Sequence, residues 1–340
     1  MSDNASKFYT PGLMDLSKYH IISAPLDDHW DRFVESSPQG TIFQTTPFLS
    51  CFSNKFCSWY CLKKNQIVGA MVVPVNDTQT TSMALPHMIH NGLMFIPAQN
   101  NQNQSQTLSE HFRISLCFIE KISKHFKEVS LTHHPSHVDM RPFLWHNYHN
   151  NDPKYSVEIR YTSYLRLKEN TPFDLSERDE LFKACNTSRR QEIRAGIREN
   201  LRTDIDVNPE RFVSLYETTF NTQGIKHSME EQNELVQIIT TLNKAGKLRM
   251  FSTYDLDNNL GSSAVFGVDT KRAYFLYGGN HPEFKKQAFG STVLWDAFQA
   301  LHAEGIREID LEGVNSPARG YFKLSFGGDL VPYYRTHWKS

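Results

Sequence analysis

The sequence predicts an α/β protein built as two tandem domains, and two observations carry that reading. A strand, polar turn and strand pattern occurs twice, at 59–75 and again at 248–268. Each copy leads into an amphipathic helix that runs on into a strand, at 107–132 and at 291–312. Two hairpin–helix–strand units imply duplicated α/β domains. Length agrees, because 340 residues are long for one core and suit two packed domains. The boundaries that follow are a polar lead-in at 1–18, a first domain at 19–160 and a second at 161–340.

Composition narrows the class. Hydrophobic residues make up 39% and charged residues 21%, the balance of an ordinary globular protein. The formal net charge of −1 gives no global field for nucleic acid or membrane, so DNA is not expected as a partner. No stretch approaches the ~18 apolar residues of a membrane span, and the start has no signal-peptide core; the expectation is a cytoplasmic protein. Five cysteines at spacings unlike any zinc pattern read as free, buried thiols. Cys57 and Cys61 flank a strand-like Ser-Trp-Tyr, which points both to one face. Among His133, His134, His137, His146 and His149, Pro135 breaks any helix that would align the first three, and no cysteine or carboxylate pair joins them. No metal site is expected, and these histidines read as loop residues near an acceptor site.

In chain order, Tyr19 to Ser23 reads as a strand and Asp27 to Glu35 as a helix with Trp30, Phe33 and Val34 on one face. A short helix at 47–52 precedes the first hairpin. Between that hairpin and its helix lies the polar, low-complexity run Gln99 to Gln106, with no glycine turn. Tyr161 to Leu167 reads as the strand that enters the second half. Beyond it, Thr187-Ser188 is the expected N-cap of a helix on which Arg190, Arg194 and Arg198 recur every four residues, with Glu192 and Glu199 as partial compensation. That face is either solvated or a clamp on a phosphorylated acceptor or carrier, since guanidinium forks grip phosphate. Helices at 209–221 and 229–245 cover the sheet.

The most informative stretch runs from Tyr274 to Gly328. Residues 274–279 have the composition of a buried strand that Asn280-His281-Pro282 stops. The turn Gln287-Ala288-Phe289-Gly290-Ser291-Thr292 follows Lys285 and Lys286. Val293, Leu294, Ala297, Phe298 and Leu301 then place one apolar stripe on a helix at 291–304, which Gly305 ends. The strand 306–311 delivers Glu312 to its C-terminal end, where ligands of α/β sheets sit. A second glycine turn is expected within Gly320 to Gly328.

The turn at 287–292 resembles the Gln/Arg-x-x-Gly-x-Gly/Ala segment of the GNAT acyltransferases. The resemblance implies that amides of the turn and the helix start, with Lys286, Gln287, Gly290, Ser291 and Thr292, hold a donor phosphate. Thr292 departs from the family's Gly or Ala, and a β-branched side chain there stands to crowd a pyrophosphate. Further landmarks resemble the GNAT-like branch related to the Fem peptidyltransferases: Ser37 to Thr45, Asp139-x-Arg141-Pro142-Phe143, Ser188-Arg189-Arg190-x-x-Ile193-Arg194 and Gly320 to Gly328, in order across 25–338. The resemblance implies two GNAT-like domains, the first degenerate, meeting at a cleft lined by Phe43, Gln44, Arg141 and Tyr321. It also implies an N-acyltransferase that takes its acyl group from acyl-CoA or an acyl carrier protein, with no permanently bound cofactor. The acceptor would be a small or carrier-linked amine, such as an amino sugar used in cell-surface polysaccharide synthesis.

Such a transfer needs a deprotonated amine, a polarised carbonyl and a proton for the leaving sulfur. Glu312 is the candidate base, or else a loop carboxylate. Tyr321 is a candidate proton donor, and Lys323 a candidate for an oxyanion or acceptor phosphate; either could instead pack structurally. Phe43, Gln44, Asp139, Arg141, Arg190 and Arg194 are the candidate acceptor residues, although Asp139 and Arg141 could simply pair with each other. Two alternatives stand beside this reading: an aminoacyl-tRNA-dependent peptidyltransferase, which the neutral charge disfavours, and a non-catalytic carrier-binding module.

Overall fold

The computed structural model describes residues 15–53, 55–176, 178–222, 224–284 and 287–340, so Lys285 and Lys286 lie outside it. The chain divides into two compact units, residues 1–160 with 332–340, and residues 161–331. No helix among the described residues is long and apolar enough to cross a membrane.

The first unit opens with β1 (Tyr19–Ser23) and α1 (Asp28–Ser36), whose N-cap Asp27 accepts from the amides of His29 and Trp30. Trp30, Phe33 and Val34 are buried, as their spacing predicts. α2 (Thr46–Leu49), β2 (Lys55–Lys63) and β3 (Gln66–Val75) follow. The β2–β3 turn places Lys64 and Asn65 at φ 48° and 66°, the paired left-handed residues of a tight hairpin. β4 (Met94–Phe95) completes an antiparallel sheet in the order β1-β2-β3-β4. α3 (Gln104–His125) lays Ile114, Phe118, Ile119 and Ile122 into a core shared with Trp59, Met71 and Val73. β5 (Glu128–Thr132) and α4 (Arg141–Leu144) end this run.

β6 (Ser156–Arg166) carries the chain into the second unit. There follow α5 (Glu180–Ala184), α6 (Thr187–Arg198), β7 (Arg202–Ile205), α7 (Pro209–Asn221), α8 (Met229–Lys244), β8 (Leu248–Tyr254), β9 (Leu260–Val268), β10 (Ala273–Asn280), α9 (Phe289–Ala303), β11 (Glu308–Asp310), α10 (Pro317–Leu324) and β12 (Asp329–Lys339). The strands neighbour one another in the order β6-β11-β10-β9-β8-β7. β10 and β11 are parallel, whereas the hairpin β8–β9 and the pairs β9–β10 and β6–β11 are antiparallel. The stripe Val293, Leu294, Ala297, Phe298 and Leu301 of α9 packs in one core with Phe251, Ala264 and Phe266 of the hairpin.

Four expectations need correction. Residues 332–340 belong to the first unit, because Arg335 to Lys339 pair antiparallel with Thr132 to Glu128. The expected second glycine turn is mostly helix: Pro317 sits in the first turn of α10, and a left-handed residue comes only at Gly327, φ 83°. The N-cap of α6 is Asn186, whose side chain accepts from the Arg189 amide, and not Thr187 or Ser188. The polar run at 99–106 is also shorter than expected, since its last residues already form the first turn of α3.

α6 and α9 approach closely at Gly196, where an added Cβ would lie 2.0 Å from Thr292 Oγ1 and 3.2 Å from Thr292 Cβ. The β-branched residue at 292 is thus matched by a glycine on the facing helix. Gly196→Ala should lower the unfolding free energy by about 1–3 kcal/mol through overpacking, despite the better helix propensity of alanine. Adding Thr292→Ala should restore most of the loss. Chemical denaturation of the two single variants and the double variant measures the coupling, and additive effects would show that the helices do not meet there.

Candidate active site

β10 and β11 stay paired only at Ala273↔Ile309 and Tyr274↔Asp310. Past Asp310 the chain follows β6 instead: the Leu311 amide donates to Ser163 O at 2.8 Å and the Val314 amide to Tyr161 O at 3.0 Å. β10 meanwhile runs on to Asn280 against β9 alone. The two parallel strands therefore part, and residues 275–280 present a strand edge that β11 does not occupy.

Three ionisable side chains gather where they part. Asp310 is fully buried, and its Oδ1 accepts from Thr162 Oγ1 at 2.5 Å and from the Glu312 amide at 2.8 Å. Glu312 is 5% exposed, and its backbone is left-handed at φ 59°. That conformation costs a non-glycine residue on the order of 1–3 kcal/mol. Its buried Oε1 has no hydrogen-bond partner among the described residues. Burial raises the Glu312 carboxyl well above the usual carboxylate range, and the Asp310 charge pushes the same way, against Lys323 and Arg272. Burial likewise lifts Asp310 to about 6, opposed by the Thr162 and Glu312 hydrogen bonds. Lys323 comes from α10, with its ammonium 5.4 Å from the centre of the Phe275 ring on β10. Burial lowers it to about 8, while Glu312 and Asp310 favour its charged form. Burial thus shifts both carboxyls upward and the amine downward, the directions that favour acid–base chemistry.

A second feature lies at the start of α9. A pocket of about 300 Å³ is lined by Arg189, Asn280, Gln287, Gly290 and Ser291, among others. The N-cap position is Ala288, and no side chain caps the helix. α3, at the matching place in the first unit, is capped by Asn103 and Gln106 in a reciprocal pair. Among the described residues, the start of α9 therefore lacks the side-chain cap that α3 has. Thr292 does not crowd it, because its side chain lies against Gly196 and donates to Ala288 O at 3.0 Å. Residues 183–323 match the family model described as acetyltransferase (GNAT) domain. The second unit carries a GNAT domain.

Comparison with solved structures extends the GNAT fold to the whole chain. FemX is 12% identical, over 93% of this chain and 96% of its own, at a TM-score of 0.62. A tandem GNAT protein from the clavulanic acid biosynthesis pathway is 12% identical, over 94% and 98%, at 0.54. L-PGS from Bacillus licheniformis is 10% identical, over 93% of both, at 0.53. At such identities the likeness is one of fold. No curated protein matches the chain.

The GNAT unit brings together Glu312 and Lys323 at the parting strands, and Gln287, Gly290 and Ser291 at the helix start. Tyr321, by contrast, stands 69% exposed on α10. Arg190 and Arg194 do not line the pocket; Arg194 lies over the Phe182 ring, and the arginine of α6 that does line it is the buried Arg189. In the first unit, Phe43 and Gln44 are buried in a one-turn helix, where Gln44 donates to Gly92 O and accepts from the Thr41 amide. Asp139 and Arg141 form a two-pronged ion pair at 2.8 and 2.6 Å. His133 and His137 are fully buried with ring nitrogens 3.2 Å apart, and burial lowers His137 to about 3. They lie in the loop after β5, as expected, but are buried in it and not exposed.

The candidates drawn from the sequence leave out Asp310, and they leave out Arg189 although it belongs to the Ser188–Arg194 landmark. Asp310 had a signal, a carboxylate two residues before Glu312 in a strand that is otherwise buried. A folded-state value of about 6 lies above the unfolded one, so the folded protein gains from proton binding to Asp310 and loses that stability as pH rises through about 6. Asp310→Asn keeps an oxygen for Thr162 and Glu312 without the buried charge. It should stabilise the protein on the order of 1 kcal/mol at pH 8 and have little effect below pH 4. Urea denaturation across that range checks it, and a gain independent of pH would assign the effect to something other than ionisation.

Proposed function

We propose that the GNAT unit transfers an acyl group from a pantetheine thioester to an amine. The observation that supports this is the parting of β10 and β11, with Glu312, Asp310 and Lys323 gathered at its edge. The part of β10 that β11 leaves, short of Asn280 whose amide and carbonyl meet Thr219 Oγ1, offers backbone groups to the amides of a pantetheine arm, in the manner of an added strand. The open start of α9, with Arg189 beside it, suits a phosphate at the far end of that arm. In the transfer the amine nitrogen bonds to the acyl carbon and the carbon–sulfur bond breaks. The amine proton passes to the Glu312 carboxylate, and the leaving sulfur takes a proton from the Lys323 ammonium. A lysine near 8 matches a thiol, whose ordinary value is about 8.5. Lys323 is better placed for this than the exposed Tyr321. The acceptor would be an amine on a small molecule or on a nucleotide or lipid carrier.

Glu312→Gln should lower turnover by roughly 10²–10⁴ with the fold retained. The wild-type rate should fall as Lys323 loses its proton near 8. Lys323→Arg should shift the falling limb upward. Near-normal turnover of Glu312→Gln would remove Glu312 from the chemistry.

The donor is read by calorimetry with coenzyme A, a loaded acyl carrier protein and an aminoacyl-tRNA. A Cβ at Gly290 would lie 2.8 Å from Asn280 Oδ1, so Gly290→Val disturbs the pocket wall and should abolish thioester binding. Binding of the tRNA alone, unaffected by Gly290→Val, would replace the thioester with an aminoacyl donor.

A further inference from the structure

The pocket at the start of α9 already contains an anion of the chain's own. Glu192, on α6, places its Oε2 against both Ser291 Oγ and Arg189 Nη1, and Arg189 Nη1 also donates to Ser291 Oγ. These two partners are the groups of the pocket best suited to a phosphate. They are also fixed. Arg189 is 5% exposed, its Nε donates to Ser325 Oγ at 2.9 Å, and its guanidinium lies 4.4 and 4.7 Å from the ring centres of Phe322 and Phe326. Ser291 is buried in the first turn of α9. Glu192 is the member free to leave, because its side chain is 45% exposed on a surface helix. A carboxylate and a phosphate cannot share one guanidinium and one hydroxyl at close range, since like charges repel there by several kcal/mol.

We infer that Glu192 is a built-in competitor for the donor's phosphate: it fills the anion position beside α9 and must withdraw before a phosphorylated donor is held. The inference rests on the reading that this pocket takes the phosphate end of a thioester donor. It makes Glu192 a specificity-determining residue. Free donors, whose grip depends on that phosphate, are held weakly, while a donor with further contacts elsewhere can displace the carboxylate.

The test is calorimetry on the full chain with three probes: inorganic pyrophosphate, coenzyme A, and pantetheine, which has no phosphate. Glu192→Gln keeps an oxygen for Ser291 and Arg189 but removes the charge. Glu199→Gln, at the exposed end of the same helix, changes the net charge equally and serves as control. Glu192→Gln should bind pyrophosphate and coenzyme A about tenfold more tightly or better than wild type and Glu199→Gln, a difference of about 1.4 kcal/mol, with pantetheine unchanged. Pyrophosphate bound no better by Glu192→Gln than by wild type would overturn the inference, and weaker binding would instead make Glu192 the residue that positions Arg189. Coenzyme A bound equally by all three proteins keeps the donor reading and rejects the competitor. Tighter pyrophosphate binding by Glu192→Gln, with neither coenzyme A nor pantetheine bound by any protein, keeps the competitor and rejects the donor reading. Glu192→Ala reads the same change if the glutamine variant does not fold.

Discussion

The second unit depends on where the backbone goes after Asp310. Two amide hydrogen bonds, Leu311 to Ser163 and Val314 to Tyr161, keep that segment on β6 while β10 continues on β9. Asp310 anchors the exit by accepting from Thr162 and from the Glu312 amide, and the left-handed backbone of Glu312 completes the turn. Burying Asp310 and straining Glu312 both cost stability. They are sustained because the surrounding sheet determines them on every side, which is how strained residues persist at functional sites.

The two halves differ at matching places. In the first, β4 is two residues long and α3 begins with a reciprocal cap in which Asn103 takes the Gln106 amide and Gln106 the Asn103 amide. In the second, β10 has eight residues and α9 begins without a side-chain cap.

Much of the fold was legible because periodicity reports burial. The stripe from Val293 to Leu301, the twin hairpins and the placement of Glu312 at a strand end all follow from spacing alone. What stayed hidden depends on long-range pairing or on context. No local pattern ties β12 to β5, some 200 residues earlier in the chain. Arg189 reads as one more surface arginine until Phe322, Phe326 and Ser325 enclose it. Thr292 read as an obstacle because its counterpart, Gly196, lies almost a hundred residues away. Gln44 and Arg141 drew attention as motif residues, yet their polar atoms meet the chain's own backbone and Asp139.

The return of β12 also sets an order of events during synthesis. The first unit draws its residues from both ends of the chain, 1–160 and 332–340. β5 consequently waits with one edge unpaired while the entire second unit is being made, and at ~5–20 residues per second that interval lasts on the order of ten seconds or more. During it, Trp338 is missing from the core that holds Val129, Phe143 and Tyr155. The GNAT unit, whose residues are contiguous, can close first. The amino-terminal unit is thus the last to be completed, since its final strand is supplied by residues 332–340.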